Sequence, residues 1–280
     1  MNEAERAGLW RRLLSAARRL IRKPKELLIA VLAALAAIAG LHNGLSVIAT
    51  SFAASILIAI AIDAPILRFN KGRWIFPTGA LLTGMIVAMI ISPRERWYVA
   101  TVTTAIGVAS KYVFRMRTTN IFNPAALALV ATFYLFHPGQ DWWGAIPGKP
   151  PIALALLIIA GAFVTNRVNK FPALLSFLGG YYLLFTITAF ARDPGKVAEI
   201  FRAPDLNAGL FFAFFMVTDP PTSPSKDRDQ VVFGLIVAAA SYAAFELIGA
   251  AYFMLAGLLV GNAWEGVRRA SSRSLAAAEA

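Results

Sequence analysis

Polar and apolar positions fall in long blocks along the chain. Ten apolar segments stand out, at about 26–41, 46–67, 75–92, 97–110, 121–136, 151–166, 171–190, 206–218, 230–247 and 249–266. A helix that crosses a bilayer needs about 20 mostly apolar residues, and most of the segments come close to that. The pattern predicts an all-α polytopic membrane protein with about ten transmembrane helices. Segment 206–218 is too short for an ordinary span, and it stops abruptly at Thr-Asp-Pro-Pro.

The ten segments divide into two sets of five, a first membrane repeat at 26–136 and a second at 151–267. Each has two ordinary spans, then "FPTGALLTGMIVAMIISP" or "NAGLFFAFFMVTDP", a further span, and "NIFNPAALALVATFYLF" or "GAAYFMLAGLLVGNAW". Ser92-Pro93 and Asp219-Pro220 lie at matching places, 127 residues apart. Five is odd, so the second set enters the membrane from the opposite side, which makes an inverted repeat. Short or Gly/Pro-interrupted segments at corresponding positions of two halves point to a binding site near the midplane. Broken backbone at that depth is tolerated only where protein or a water-filled cavity satisfies it. The remaining divisions are a basic N-terminal segment at 1–25, an outer linker at 137–150 and a tail at 268–280.

Composition supports the membrane assignment: 58% of residues are hydrophobic, 15% are charged, and the mean hydropathy is +0.64. The longest polar stretches, 1–25, 137–150, 191–205 and 219–230, are too short to fold as soluble domains with their own cores. Any hydride donor or energy source is therefore expected on another chain. The net charge of +12 does not point to nucleic acid. With the N-terminus inside, 21 of the 27 Lys and Arg residues fall in inner segments and 6 in outer ones, as the positive-inside rule requires of ten crossings with both ends cytoplasmic. "RRLLSAARRLIRKPKELLIAVLAALAAIAG" has the layout of a signal peptide. Its long basic region and the spans that follow favour a retained first helix. There is no cysteine, so disulfides and Cys-ligated Fe–S or zinc sites are excluded within these residues.

Candidate chemistry is sparse. Asn123-Pro124 suits a helix cap followed by the first helical residue, and that alone accounts for the pair. The functional alternative aims the free N–H groups of this helix into a cavity. An aquaporin would need Asn-Pro-Ala twice, and the second half has none. Thr218, Asp219 and Thr222 fit a helix end with Asx and proline turns; as a functional group, Asp219 would take up a proton or cation or hydrogen-bond a ligand. Asp63, Asp219 and Glu246 all lie near predicted segment ends, which argues against a buried relay. His42 and His137 fall in outer loops, with nothing in their context that favours haem ligation. "FFAFF" and "YYLLF" are most simply lipid- or helix-facing. No phosphate-binding glycine loop, metal-ligand spacing or nucleophile elbow occurs.

Three of these stretches, "FPTGALLTGMIVAMIISP", "TTNIFNPAALALV" and "FMVTDPPTSP", resemble in order three signatures of one family. It holds the B subunit of the sodium-pumping NADH:quinone reductase and the D subunit of the Rnf electron-transport complex. The resemblance covers roughly residues 26–267, and its third stretch is the most specific. It implies a fold similar to urea transporters, with two inverted five-helix repeats. It also implies a bacterial inner-membrane location and flavin-linked electron transfer coupled to ion movement within a multisubunit complex. Relatives carry FMN joined through its phosphate to a Thr in a Ser-Gly-Ala-Thr-like motif of the outer linker. Here that loop, "HPGQDWWGAIPGKPP", contains neither Thr nor Ser, and Ile146 stands where the attachment Thr would be. The departure implies a divergent, stand-alone member without covalent FMN there, working with a separate redox partner subunit or flavoprotein. It leaves room for a noncovalent flavin, FMN or riboflavin.

The residues nominated to face such a cofactor are Thr78, Gly79, Thr83, Gly84, Asn120, Asn123, Thr218, Asp219 and Thr222, with no catalytic or metal-ligating residue among them. The rival reading is a transporter or channel for a small solute or ion, using the same cavity between the repeats without a redox cofactor.

Overall fold

A computed structural model describes residues 23–116, 119–147, 151–192, 194, 201 and 205–278. Residues 1–22, with most of the basic N-terminal segment, lie outside it, as do Lys149, Lys196 and Arg202 of the loops expected outside. The described residues form ten helices in the order of the ten apolar segments: α1 Pro24–Asn43, α2 Leu45–Lys71, α3 Thr78–Ile90, α4 Trp97–Val113, α5 Pro124–Phe136, α6 Pro151–Val168, α7 Phe171–Arg192, α8 Asp205–Val217, α9 Asp227–Ile248 and α10 Phe253–Ala278. α8 and α9 both finish in a five-residue π turn, Ala213–Val217 and Ala244–Ile248.

Length and burial sort the helices into two groups. α1, α2, α7 and α9 are long and apolar enough to cross a membrane, and they present apolar side chains outward, such as Leu57, Leu183 and Leu235. α3, α5 and α8 have 13 residues each, about 20 Å at 1.5 Å per residue, well short of the roughly 30 Å hydrocarbon layer. These short helices form the centre. α3 is buried from Met85 to Ile90, and α8 from Asn207 to Val217. The sequence pattern anticipates the shortness of α8 and an interruption in α3 but not the shortness of α5, which starts only after a small antiparallel ribbon, Arg115–Met116 against Thr119–Asn120. "FFAFF" faces other helices, with Phe211, Phe212, Phe214 and Phe215 all buried. The expected tail at 268–280 is in fact helical, the last turns of α10 to Ala278.

A short helix inside a bilayer leaves end carbonyls that no water can reach. The linker supplies their partners. Asp141 N–H and Trp142 N–H donate to Ile90 O at 3.0 and 3.2 Å, and the Trp143 indole donates to Ala88 O at 2.7 Å. Ser92 completes the join, its N–H on Gly139 O at 2.8 Å and its hydroxyl on the Asp141 carboxylate at 2.6 Å. Asn207, in the first turn of α8, donates to Ala145 O at 3.0 Å. The linker is therefore folded into the core between the end of α3 and the start of α8. Ile146 lies there with φ +54°, buried, so a side chain at this position points into protein.

α9 packs between α7 and α10 through small residues. A Cβ on Gly257 of α10 would come within 2.7 Å of both Ser241 N and Val237 O of α9, and backbone atoms cannot step aside. Close approach through small residues is how membrane helices gain packing contacts. Gly257→Val is expected to lower the thermal stability of the detergent-purified protein by roughly 1–3 kcal/mol, the usual cost of overpacking. Unchanged melting would refute this packing.

Candidate cofactor site at the ends of the short helices

A cavity of about 540 Å³ opens on the face that carries the start of α1. The starts of α3 and α5 and the end of α8 converge on it, joined by the ends of α4 and α6. Six of the nominated residues line it: Gly79, Thr83, Asn120, Asn123, Thr218 and Asp219. Three do not. Thr78 opens α3 beside the cavity without lining it. Gly84 faces α2, where a Cβ would meet Ser55 O at 2.8 Å, so its small size serves helix packing. Thr222 is buried behind the wall, and its hydroxyl donates to Asp219 Oδ2 at 3.0 Å.

Local chemistry accounts for the lining. Thr83 and Thr218 spend their hydroxyl protons on the carbonyls four residues back, Gly79 O and Phe214 O, and so face the cavity as acceptors. Asn123 is the N-cap of α5: its Oδ1 accepts from Ala125 N–H and Ala126 N–H, each at 3.1 Å. That corrects the idea that this helix aims free N–H groups into the cavity, because its first two available donors are capped and Pro124 has none. Asn123 Nδ2 turns to Asp219 Oδ2 at 3.5 Å. The deeper wall is apolar: Leu82, Ile86, Val164, Phe214 and Phe215.

Three groups decisive for this geometry escape the sequence pattern. The first is Asn262 of α10, fully buried; its Oδ1 accepts the Asn123 backbone N–H at 2.8 Å, and its Nδ2 donates to Thr222 O at 3.1 Å. A lone Asn in the apolar run "LAGLLVGNAW" was the available signal, since polar side chains inside membrane helices are seldom idle. The second is a cationic brace on the proline corner. Arg269 donates to Pro221 O and Ser223 O, each at 2.9 Å, and is itself held by buried Glu265 at 2.6 Å. The Lys170 ammonium, in the turn between α6 and α7, donates to Ser223 O and Pro224 O. Burial, and then the Arg269 guanidinium nearby, push the Lys170 pKa down to about 8.

The third group corrects the expectation that Asp63 sits at a helix end. α2 runs on to Lys71, so Asp63 is two turns inside, 1% exposed, ion-paired with Lys111 and hydrogen-bonded by the Tyr112 hydroxyl. Lys111 and Tyr112 line the cavity. Glu246 does lie near its helix end, paired with Arg192 at 2.6 Å. His42 and His137 are both exposed. Among the described residues no group of three or more His, Asp or Glu is placed to hold a metal ion.

A second cavity, of about 600 Å³, opens on the opposite face. Arg94 and the linker residues Gln140–Trp143 line it together with Asp205 at the start of α8 and Phe253 at the start of α10. Both Gln140 amide atoms are buried without a protein partner.

Comparison with known proteins places this arrangement in context. The NQR2, RnfD, RnfE family matches residues 16–146 and 139–264. Among individual relatives, a protein of Pseudomonas paraeruginosa, named as the D subunit of an ion-translocating oxidoreductase complex, is 23% identical, over 66% of this chain and 71% of its own length. Proteins of the same name from Ectopseudomonas mendocina and Halorhodospira halophila are 25% and 24% identical, over 66% and 56% of this chain and 71% and 62% of their own lengths.

Proposed function

This chain belongs to the NQR2, RnfD, RnfE family, and from that premise we propose that it is an integral membrane component of an Rnf-type electron-transport system, in which electron transfer is coupled to ion translocation. The names of the relatives support the coupled activity. Its ten helices form two inverted five-helix repeats of the urea-transporter kind. Both termini and the cavity beside α1 face the cytoplasm of a bacterial cell. The two family matches, split near the linker, and the paired short helices α3 and α8 support this arrangement.

The cavity beside α1 holds a noncovalent flavin in this reading. The observation that carries it is the meeting of the three family stretches, from α3, α5 and the end of α8, around one space. The residues present fit the group. Ligand pockets are mostly apolar with a few placed polar groups, and run from about 300 to 1,000 Å³. Here Phe214, Phe215 and Ile86 offer an apolar bed, while Asn120, Asn123, Thr83, Thr218 and Asp219 offer donors and acceptors at the edge. A bound flavin supplies one- and two-electron redox chemistry. The chain positions it, excludes water from its apolar side, and keeps Asp219 oriented through Thr222 and Asn123. A redox partner, either another component of the complex or a separate flavoprotein, exchanges electrons with it.

The purified protein is expected to show the two-banded visible absorbance of an oxidised flavin. Denaturation is expected to release all of it, because Ile146 offers no hydroxyl for a phosphoester. Flavin fluorescence that stays with the denatured polypeptide in a gel refutes the noncovalent link. The paired cavities on opposite faces favour one other reading, a small-solute or ion pathway past α3 and α8 without a redox cofactor. A colourless protein that conducts solute in proteoliposomes would decide for that reading.

A further inference from the structure

The cavity beside α1 is graded from an apolar floor to a cationic mouth, and the grading limits which flavin it suits. Along α3 the lining passes from Gly79 through Thr83 to Ile86, about 10 Å of helix at 1.5 Å per residue. Ile86 meets Phe214, Phe215 and Val164 at the deep end. At the other end stand Lys25, the second residue of α1, and Arg115, in the ribbon that follows α4. Arg115 pairs across that ribbon with Asn120, so the ribbon sets the guanidinium and the amide on the same rim. Lys111 adds a third cation, but Asp63 neutralises it. Asp219, the only carboxylate among the described lining residues, is engaged by Asn123 and Thr222. Lys25 and Arg115 have no ion-pair or side-chain hydrogen-bond partner among the described residues. Both are exposed; Lys25 feels the Asp219 carboxylate electrostatically without pairing with it, and among the described residues neither cation is taken up by an ion pair.

We infer that this cavity takes a flavin bearing its terminal phosphate, FMN in preference to riboflavin, with the flat ring on the apolar floor and the phosphate between Arg115 and Lys25. The inference rests on the flavin reading above. A guanidinium presents a planar fork of donors that matches a phosphate bidentately, and charge-assisted hydrogen bonds of this kind are about twice as strong as neutral ones. Riboflavin ends in a hydroxyl and gains nothing comparable from the two cations.

The test is a titration of the full-length protein, stripped of flavin and held in neutral detergent, with FMN and with riboflavin, followed by quenching of flavin fluorescence. FMN is expected to bind at least about tenfold more tightly at low salt, a difference of about 1.4 kcal/mol. The ratio is expected to shrink as salt screens the exposed cations. Arg115→Gln and Lys25→Gln are each expected to weaken FMN and leave riboflavin unchanged, with the riboflavin titration reporting that the variants are folded. Equal affinity for the two flavins overturns the inference and leaves the flavin reading standing; failure to bind either removes both. A phospholipid headgroup offers the same phosphate chemistry, so micellar phosphatidylglycerol is added as a competitor. Retained FMN assigns the rim to the flavin, whereas displacement by stoichiometric lipid assigns it to lipid and overturns the inference.

Discussion

Replacing Asp63 with asparagine is expected to destabilise the protein by about 3–5 kcal/mol, the cost of removing one partner from a buried ion pair. The Asp63 side chain is 2% exposed and that of Lys111 15%, so solvent screens the pair little. Asparagine keeps the shape and can still accept from the Tyr112 hydroxyl, which confines the loss to charge. What remains is the Lys111 ammonium beside the cavity, with Arg115 and Lys25 as its nearest charges of note. The companion variant Lys111→Met leaves Asp63 buried and uncompensated, and is expected to cost a similar amount. The double variant removes both charges, and burying none is often neutral, so it is expected to recover much of either loss. Thermal melting of the three variants in one detergent measures the coupling. Additive losses would mean that the two side chains do not meet as the structure has them.

Asp63 also shows where sequence reasoning stops. Hydropathy ends the second apolar segment at residue 67, which leaves Asp63 apparently near water. The helix instead continues to Lys71 and closes on Gly72 in the left-handed conformation, and α4 brings Lys111 alongside from far along the chain. Nothing local in "IAIDAPIL" announces that partner. The ten helices were legible because a bilayer demands long apolar runs; α8 was legible as short and α3 as interrupted, because proline, glycine and a polar corner break into them. The shortness of α5 was not: its run from 121 looks continuous, but the ribbon through Asn120 and a bend at Ile121 and Phe122 delay the helix until Pro124. The linker reads as a polar loop, and its tryptophans and Ile146 alone hint that it folds inward to satisfy the end of α3. Gly79, Thr83, Asn120, Asn123, Thr218 and Asp219 share one cavity because the short helices begin or end there, at the glycine, proline and polar residues that interrupt the apolar runs. Gly84 and Thr222 fall outside because sequence does not tell which side of a helix or turn meets the open space.

The clearest omission, Asn262, supports the second large effect. Asn262→Leu is expected to destabilise the protein by roughly 2–6 kcal/mol, since two buried backbone groups lose their partners at about 1–3 kcal/mol each. One is the Asn123 N–H at the head of α5, the other the Thr222 carbonyl in the proline corner. Leucine is close in size, so no cavity forms to confuse the result. A neighbouring control, Val260→Leu on an exposed side of α10, is expected to change nothing. Losing Asn262 also unties the two elements that hold Asp219, because Asn123 contacts that carboxylate from α5 and Thr222 from the corner. The same variant is therefore expected to weaken flavin retention more than Gly257→Val does, although both unsettle α10. Combining it with Asn123→Ala separates the two roles. If Asn262 acts through the Asn123 cap, the double variant loses flavin no faster than the worse single one. Additive loss of flavin would instead mean that Asn262 acts apart from the cap, through the Thr222 carbonyl it holds.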